Sequence, residues 1–177
     1  TIKENTLCKL NTEAGIAAIG EGTSLNADGV ICDENLIGFT VQQGAKAMIA
    51  GCSVRISKQV GIHFDMAATG CELLDNTVEK SSFNGFMLTG ANGSVATLVG
   101  NKSSGNALSG IVITGAGFKP VLERNECNSN GEFGIFAGPG CSGAIRNNTC
   151  RGNNRGGIGR ENTAGDLDVK DNVIEEK

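Results

Sequence analysis

The 177-residue sequence has no tryptophan, no tyrosine, a single histidine and only two prolines. Lacking Trp and Tyr, it lacks the side chains with which carbohydrate platforms are usually built. Its apolar runs are short, Ala45–Ala50 among them, so nothing is long enough to span a bilayer. Net charge is −4, from 15 basic and 19 acidic residues, which argues against a basic nucleic-acid surface. The seven cysteines (Cys8, Cys32, Cys52, Cys71, Cys127, Cys141 and Cys150) are odd in number and contain no CxxC pair. A complete intramolecular disulfide set is therefore impossible, and no metal site is expected with a lone histidine. Reduced thiols acting as small buried hydrophobes are the expectation, and no cofactor is called for. The chain starts at Thr1 with no charged segment leading into an apolar one, so no signal peptide is visible. That pattern fits an extracellular or periplasmic protein whose signal was removed, or a fragment of a cytoplasmic one.

What is abundant is glycine, 27 residues, and asparagine, 18 residues. Glycine has no three-residue period, which excludes collagen. A Gly followed by an apolar residue recurs at Gly15, Gly38, Gly61, Gly85, Gly110, Gly134 and Gly157, at intervals of 23, 23, 24, 25, 24 and 23. Other columns keep the register. Seven residues before each glycine stand Cys8, Ile31, Val54, Val78, Ser103, Cys127 and Cys150. Four before stand Asn11, Glu34, Ser57, Ser81, Asn106, Asn130 and Asn153. Nine before stand Thr6, Gly29, Cys52, Asn76, Asn101, Asn125 and Asn148.

Each repeat reads as three short strands with alternating apolar positions, separated by Gly and Asn, which tolerate tight corners. No segment sustains a helical stripe. The reading is an all-β solenoid, a right-handed parallel β-helix of about seven to eight coils with three strands per coil, forming one domain over residues 1–177. Equivalent strands stack about 4.8 Å apart. Leu98, Ser103, Ile111 and Ile113 should point inward. Asn76, Asn101, Asn125 and Asn148 should form a side-chain ladder that serves the corner backbone.

The segments PVLERNECNSNGEFGIFA and GAIRNNTCRGNNRGGIG (residues 120–137 and 143–159) resemble the parallel β-helix repeat family. Its unit is similar to I-x-x-N-x-[IVC]-x-x-N-x-x-x-G-I. The resemblance implies a right-handed, pectate-lyase-like β-helix. That family includes pectin- and alginate-acting enzymes, periplasmic accessory proteins and F-box β-helix domains, so it specifies architecture rather than chemistry.

Repeat length varies by only two residues, which leaves no insertion to wall a groove. Outward acids (Asp65, Glu79, Glu126, Glu161) do not cluster by column, and Asp33 and Glu34, adjacent on a strand, should point apart. The Asp-Asp pair with His and RxK of polygalacturonases is missing, as are the Tyr-Gly and Asp-Pro-His patterns of alginate epimerases. The catalytic candidates are His63 and, two residues on, Asp65. Arg55 and Glu79 should form a surface ion pair. Asp166, Asp168 and Asp171 are too scattered for calcium. Met87, Val112 and Phe136 form an outward apolar row suited to binding. The expected function is a non-catalytic scaffold or protein-interaction module, with a carbohydrate-active β-helix for acidic polysaccharide (lyase, hydrolase or epimerase) as the alternative. Expected partners are a protein or a polysaccharide. Exposed solenoid edges also suggest end-to-end or lateral self-association, or a chain that continues before Thr1.

Overall fold

The computed structural model describes residues 1–65, 70–91 and 93–175. They form three parallel sheets and no helix. The first coil runs through strands Leu7–Lys9, Ala14–Ile19 and Ser24–Asp28, which open sheets I, II and III. The pattern repeats down to Thr149–Arg151, Gly156–Arg160 and Leu167–Lys170, and Val173–Glu175 begins an eighth coil. Sheet I has eight strands, sheets II and III seven each, and every pairing is with the equivalent strand one coil away. The architecture is the parallel β-helix that the periodicity predicts.

Two corners per coil set this geometry. Between sheets III and I the chain turns at Asn5, Gly29, Gly51, Asp75, Gly100, Arg124, Asn147 and Asp171, all with φ between 53° and 68°. After sheet I it turns at Leu10, Glu34, Ile56, Lys80, Gly105, Ser129 and Gly152, again left-handed. The sequence suggests Gly and Asn here, yet Leu, Ile, Arg and Lys also occupy these sites. Each non-glycine residue bears a local cost of about 1–2 kcal/mol that its surroundings must offset.

Asparagine ladders supply that offset. The residue after each turn of the first kind is a ladder position. Asn101 Oδ1 accepts both the N–H and the Nδ2 of Asn76, each at 3.0 Å. Asn125 does the same for Asn101, Asn148 for Asn125, and Asn172 for Asn148. Each Nδ2 also donates to a carbonyl of the preceding coil: Ile49, Leu73, Leu98, Leu122 and Ile145 in turn. At the upper end Cys52 takes the ladder position, its N–H donating to Asn76 Oδ1 and its Sγ accepting from Val30 N–H at 3.4 Å. A second ladder follows the other corner, joining Asn11 to Asn35 and Asn106 through Asn130 to Asn153. Between these two stretches stand Ser57 and Ser81, whose buried hydroxyls have no partner among the described residues.

The second coil departs from the expected columns. Cys8 pairs with Cys32, not Ile31, and Asn11 bonds Asn35, not Glu34. Val30, not Gly29, is the ladder position there. This coil has one residue fewer between its second-ladder asparagine and the anchor Gly38, so counting back from the glycine overshoots by one. Ile31 consequently faces solvent. Glu34 sits in the turn, φ 54°, and both it and Asp33 reach Lys9 Nζ, at 2.8 and 3.1 Å, instead of pointing apart. Arg55 and Glu79 do share an outward row, but Arg55 pairs with Asp33 at 3.6 Å, and Glu79 accepts the Ser104 hydroxyl.

The anchor glycines are required by close approach. A Cβ on Gly110 would lie 2.6 Å from the Gly134 carbonyl and 3.2 Å from Cys127 Cβ, and the same crowding recurs at Gly38, Gly61, Gly85 and Gly134. The core runs down the axis through Phe39, Ile49, Leu73, Phe86, Leu98, Ile111, Ile113, Leu122 and Ile145. Six of the seven cysteines are buried within it, and Cys127 stacks on Cys150. A hydrogen bond with Cys150 and burial together hold the Cys127 thiol well above its ordinary pKa.

Replacing Asn125 by Ala strands the Asn101 amide groups and the Leu98 carbonyl, and thermal or urea unfolding should show a loss of about 3 kcal/mol or more. Ile56→Gly should act oppositely, raising stability by about 1 kcal/mol, because Ile56 is exposed and held at φ 53°. Unchanged midpoints in both variants would contradict this account of the corners.

Candidate functional site on the outer face of sheet II

Sheet II strands alternate inward and outward side chains, so positions two residues apart line one face. Strand pairing places Ala17, Thr40, His63, Met87, Val112, Phe136 and Gly159 in one continuous row. A second outward row contains Ile19, Gln42, Asp65, Thr89 and Thr114. His63 and the Met87–Val112–Phe136 stripe therefore lie on one line, the outward column two residues after each anchor glycine. His63, Met87, Val112 and Phe136 are each partly buried against their row neighbours.

Around His63 the surface is polar. Thr40 is its neighbour on one side, and the Thr40 hydroxyl is buried with no partner among the described residues. Asp65 lies two residues on, between Gln42 and Thr89. Burial lowers the His63 pKa from 6.5, and the nearby Asp65 carboxylate partly opposes that shift. The imidazole is thus neutral at pH 7 and able to accept a proton. None of the described residues of the Ile37–Gln42, Ile62–Asp65 and Phe86–Thr89 strands is cationic, and Asp65 is their only carboxylate.

The other end of the row is aromatic. Phe133 and Phe136 stack with ring centroids 5.4 Å apart and planes 24° apart. The Phe133 ring lies over the next coil, filling the slot that glycine leaves at 159, where a Cβ would stand 2.7 Å from the ring. The Arg155 guanidinium is 5.4 Å from the Phe133 centroid and pairs with Glu132 at 3.1 Å. Phe39, Phe64, Phe86 and Phe118 are buried, whereas Phe133 and Phe136 stack on the outer face and Phe83 is 49% exposed. The sequence signal was a glycine in an otherwise filled outward column, with an aromatic residue available one coil before.

A second feature was not foreseen from near-constant repeat length. At the corners between sheets II and III of the last coils lies an open hollow of about 820 Å³, lined in part by Lys119, Ser142, Arg160, Asp166 and Asp168. Asp168 contacts Arg146 and Lys170. Among the described residues no three His, Cys, Asp or Glu side chains are grouped to hold a metal ion. Nor is any helix long and apolar enough to cross a membrane.

Because His63 is the only histidine, its C–H proton resonances should titrate alone, with a midpoint below 6.5. Asp65→Asn should move that midpoint further down. A depressed native pKa means that the unfolded chain binds the proton more readily, so His63 should make folding less favourable as pH falls from about 6.5 through the native midpoint. A midpoint at or above 6.5 would contradict its burial.

No curated protein sequence matches the chain. Its fold is similar to the periplasmic alginate epimerase AlgG, with a TM-score of 0.65 and 14% identity, over 84% of this chain and 44% of that one. A point mutant of the same epimerase gives 0.67 and 14%, over 94% and 51%. The chain thus spans about half the length of those structures. The catalytic domain of a GH87 alpha-1,3-glucanase overlaps at a TM-score of only 0.36 with 11% identity, over 88% of this chain and 40% of that one. The family described as a right-handed beta-helix region matches residues 37–177. With three parallel sheets, a coil of about 24 residues and that match over most of its length, the chain belongs to the right-handed β-helix family.

Proposed function

We propose that this chain is the polysaccharide-holding β-helix of a carbohydrate-active protein, with an extended glycan laid across the coils on the outer face of sheet II. The observation that carries the proposal is the unbroken row from Thr40 and His63 through Met87, Val112 and Phe136 to the Phe133 ring. At about 4.8 Å per coil, His63 and the Phe133 ring in the Gly159 slot are about 19 Å apart. That tract suits a polymer better than a small molecule. It offers apolar surface for sugar faces and, at one end, a neutral base. The solved structures with a similar fold include a protein named as an alginate epimerase, which favours this reading over a pure scaffold.

If the chain contributes chemistry, it is proton transfer by His63, whose protonated form the nearby Asp65 carboxylate favours. Glycoside hydrolysis needs two carboxyls flanking the bond, and Asp65 has none beside it on the neighbouring strands. Removal of a proton from the carbon next to a sugar carboxylate needs one positioned base, which His63 can be.

Affinity electrophoresis on alginate and polygalacturonate gels should retard the wild-type chain, and the uncharged substitutions Met87→Ser or Val112→Ser in the middle of the stripe should sharply reduce the retardation. Turnover, read as ultraviolet absorbance of unsaturated ends or as an altered uronate NMR spectrum, should disappear in His63→Ala. Binding without turnover assigns a holding role alone, whereas failure to bind any polysaccharide would overturn the proposal.

A further inference from the structure

Strand register sets cysteine against cysteine twice. Cys8 pairs with Cys32 in the first two coils, and Cys127 with Cys150 in two lower ones. Val54, Val78 and Ser103 separate the pairs in the same inward column of sheet I. In-register parallel strands hold Cα atoms about 4.8 Å apart, inside the range of about 4.4–6.8 Å that a disulfide bridges. The two pairs differ in access and in give. Cys127 and Cys150 are 0% exposed, and their strands are each paired on both sides. Cys8 is only half-buried, and its strand, Leu7–Lys9, has a neighbour on one side alone. Contacts on either side of the upper pair keep it in step: Lys9 Nζ reaches Asp33 and Glu34 at 3.1 and 2.8 Å, and Asn11 Nδ2 donates to Asn35 Oδ1 at 2.8 Å. Burial, with the neighbouring Cys8 and Cys52 thiols, keeps the Cys32 thiol far above its ordinary pKa. Cys52 is itself committed, its thiol donating to the Ala50 carbonyl at 3.2 Å and accepting from Val30 N–H.

We propose that Cys8 and Cys32 form a thiol–disulfide modification site, a reversible staple that locks the first coil onto the second in the presence of a small-molecule disulfide such as oxidised glutathione. The thiolate of half-exposed Cys8 attacks one sulfur of that disulfide and expels the first glutathione as a thiolate, which takes up the proton Cys8 lost. Cys32 then gives up its proton, attacks the Cys8 sulfur of the mixed disulfide and expels the second glutathione, which takes that proton. Two protein thiols lose two electrons, and the small disulfide gains them. Cys32 ionises rarely, but its step is intramolecular and needs no further encounter. Parallel side chains leave the Cβ atoms slightly farther apart than a disulfide prefers, so the bond must draw one strand toward the other. Leu7–Lys9 can yield in this way, whereas Glu126–Asn128 and Thr149–Arg151 are held from both sides. The strain of that draw makes the staple easy to reduce again, which suits a switch rather than a permanent bridge. The staple is independent of whether sheet II holds a glycan.

The test incubates the folded, fully reduced chain with mixtures of oxidised and reduced glutathione. Free thiols are then trapped with N-ethylmaleimide under denaturing conditions, and the chain is digested with trypsin. Mass spectrometry should show peptides 4–9 and 10–46 joined through Cys8 and Cys32, with every other cysteine carrying the trap. Return to reduced glutathione should release the bond. Amide exchange in Leu7–Lys9 should slow about tenfold in the oxidised chain and stay unchanged in Gly156–Arg160. Cys32→Ser should stop with glutathione on Cys8, and Cys8→Ser should acquire none. Retention of all seven thiols by the native wild type would overturn the staple. So would a mixed disulfide that persists on Cys8, a bond from either residue to Cys52, or equally ready oxidation of Cys127 and Cys150. These readings come from the wild type and decide the matter even where a serine variant fails to fold.

Discussion

The amide of one asparagine bridging to the next coil is the contact on which the rest of the structure depends. A β-helix must turn sharply without losing backbone hydrogen bonds, and here it turns through left-handed residues in two columns. At such a turn the strand ladder is interrupted and polar backbone groups are orphaned inside the molecule. Each ladder asparagine replaces them by accepting from the coil above and donating back to it. Buried polar groups are tolerated only when satisfied, so a repeating amide is both permitted and demanded at that position. Strand register follows, because an asparagine can meet its neighbour only when the coils are in step. The anchor glycine, whose Cβ would strike the next coil's carbonyl, fixes the same step from the other side of the core.

Legibility followed the same physics. Where a position has one chemical solution, the sequence displays it: Gly110 at a backbone contact, Asn101 between two coils, Ile113 in the core. The ladder was therefore readable from Asn76 to Asn148 before any coordinate. Its start was not, since Cys52 performs the amide's accepting role with sulfur. The second coil was misread for a simple reason. Position counting presumes equal connections, and a single missing residue before Gly38 moves every earlier column by one. Left-handed corners were hidden too: Ile56 and Arg124 are poor choices in isolation, tolerated because the stack on either side holds the backbone.

The candidate site was legible as residues and illegible as a place. His63, Met87, Val112 and Phe136 could all be named, because an outward column follows from alternation. That they share a line with an aromatic tile depended on Phe133 folding back over a glycine, a contact between coils that no pattern within one coil reveals. The hollow by Arg160 was missed for a related reason. Repeat length was nearly constant, but glycines at Gly140, Gly143 and Gly165 open space at that corner without any inserted loop.

The break in the second ladder has a mechanical side. Coils 1 and 2 are joined there through Asn11 and Asn35, and the lower coils from Asn106 onward, but Ser57 and Ser81 pass nothing between their hydroxyls. At the joint of coils 2 and 3 the other ladder is reduced to a single N–H on the sulfur of Cys52. The Arg55–Asp33 ion pair bridges that same joint from outside. Seen as a column under load, the molecule has twin spines over most of its height and a splice near the top, where tension along the axis is carried by strand pairing, one sulfur contact and a salt-sensitive strut. A force that pulled the ends apart would part the column at this splice first, releasing the two upper coils as a unit and leaving the face that carries His63 and the aromatic tile on the intact lower stack.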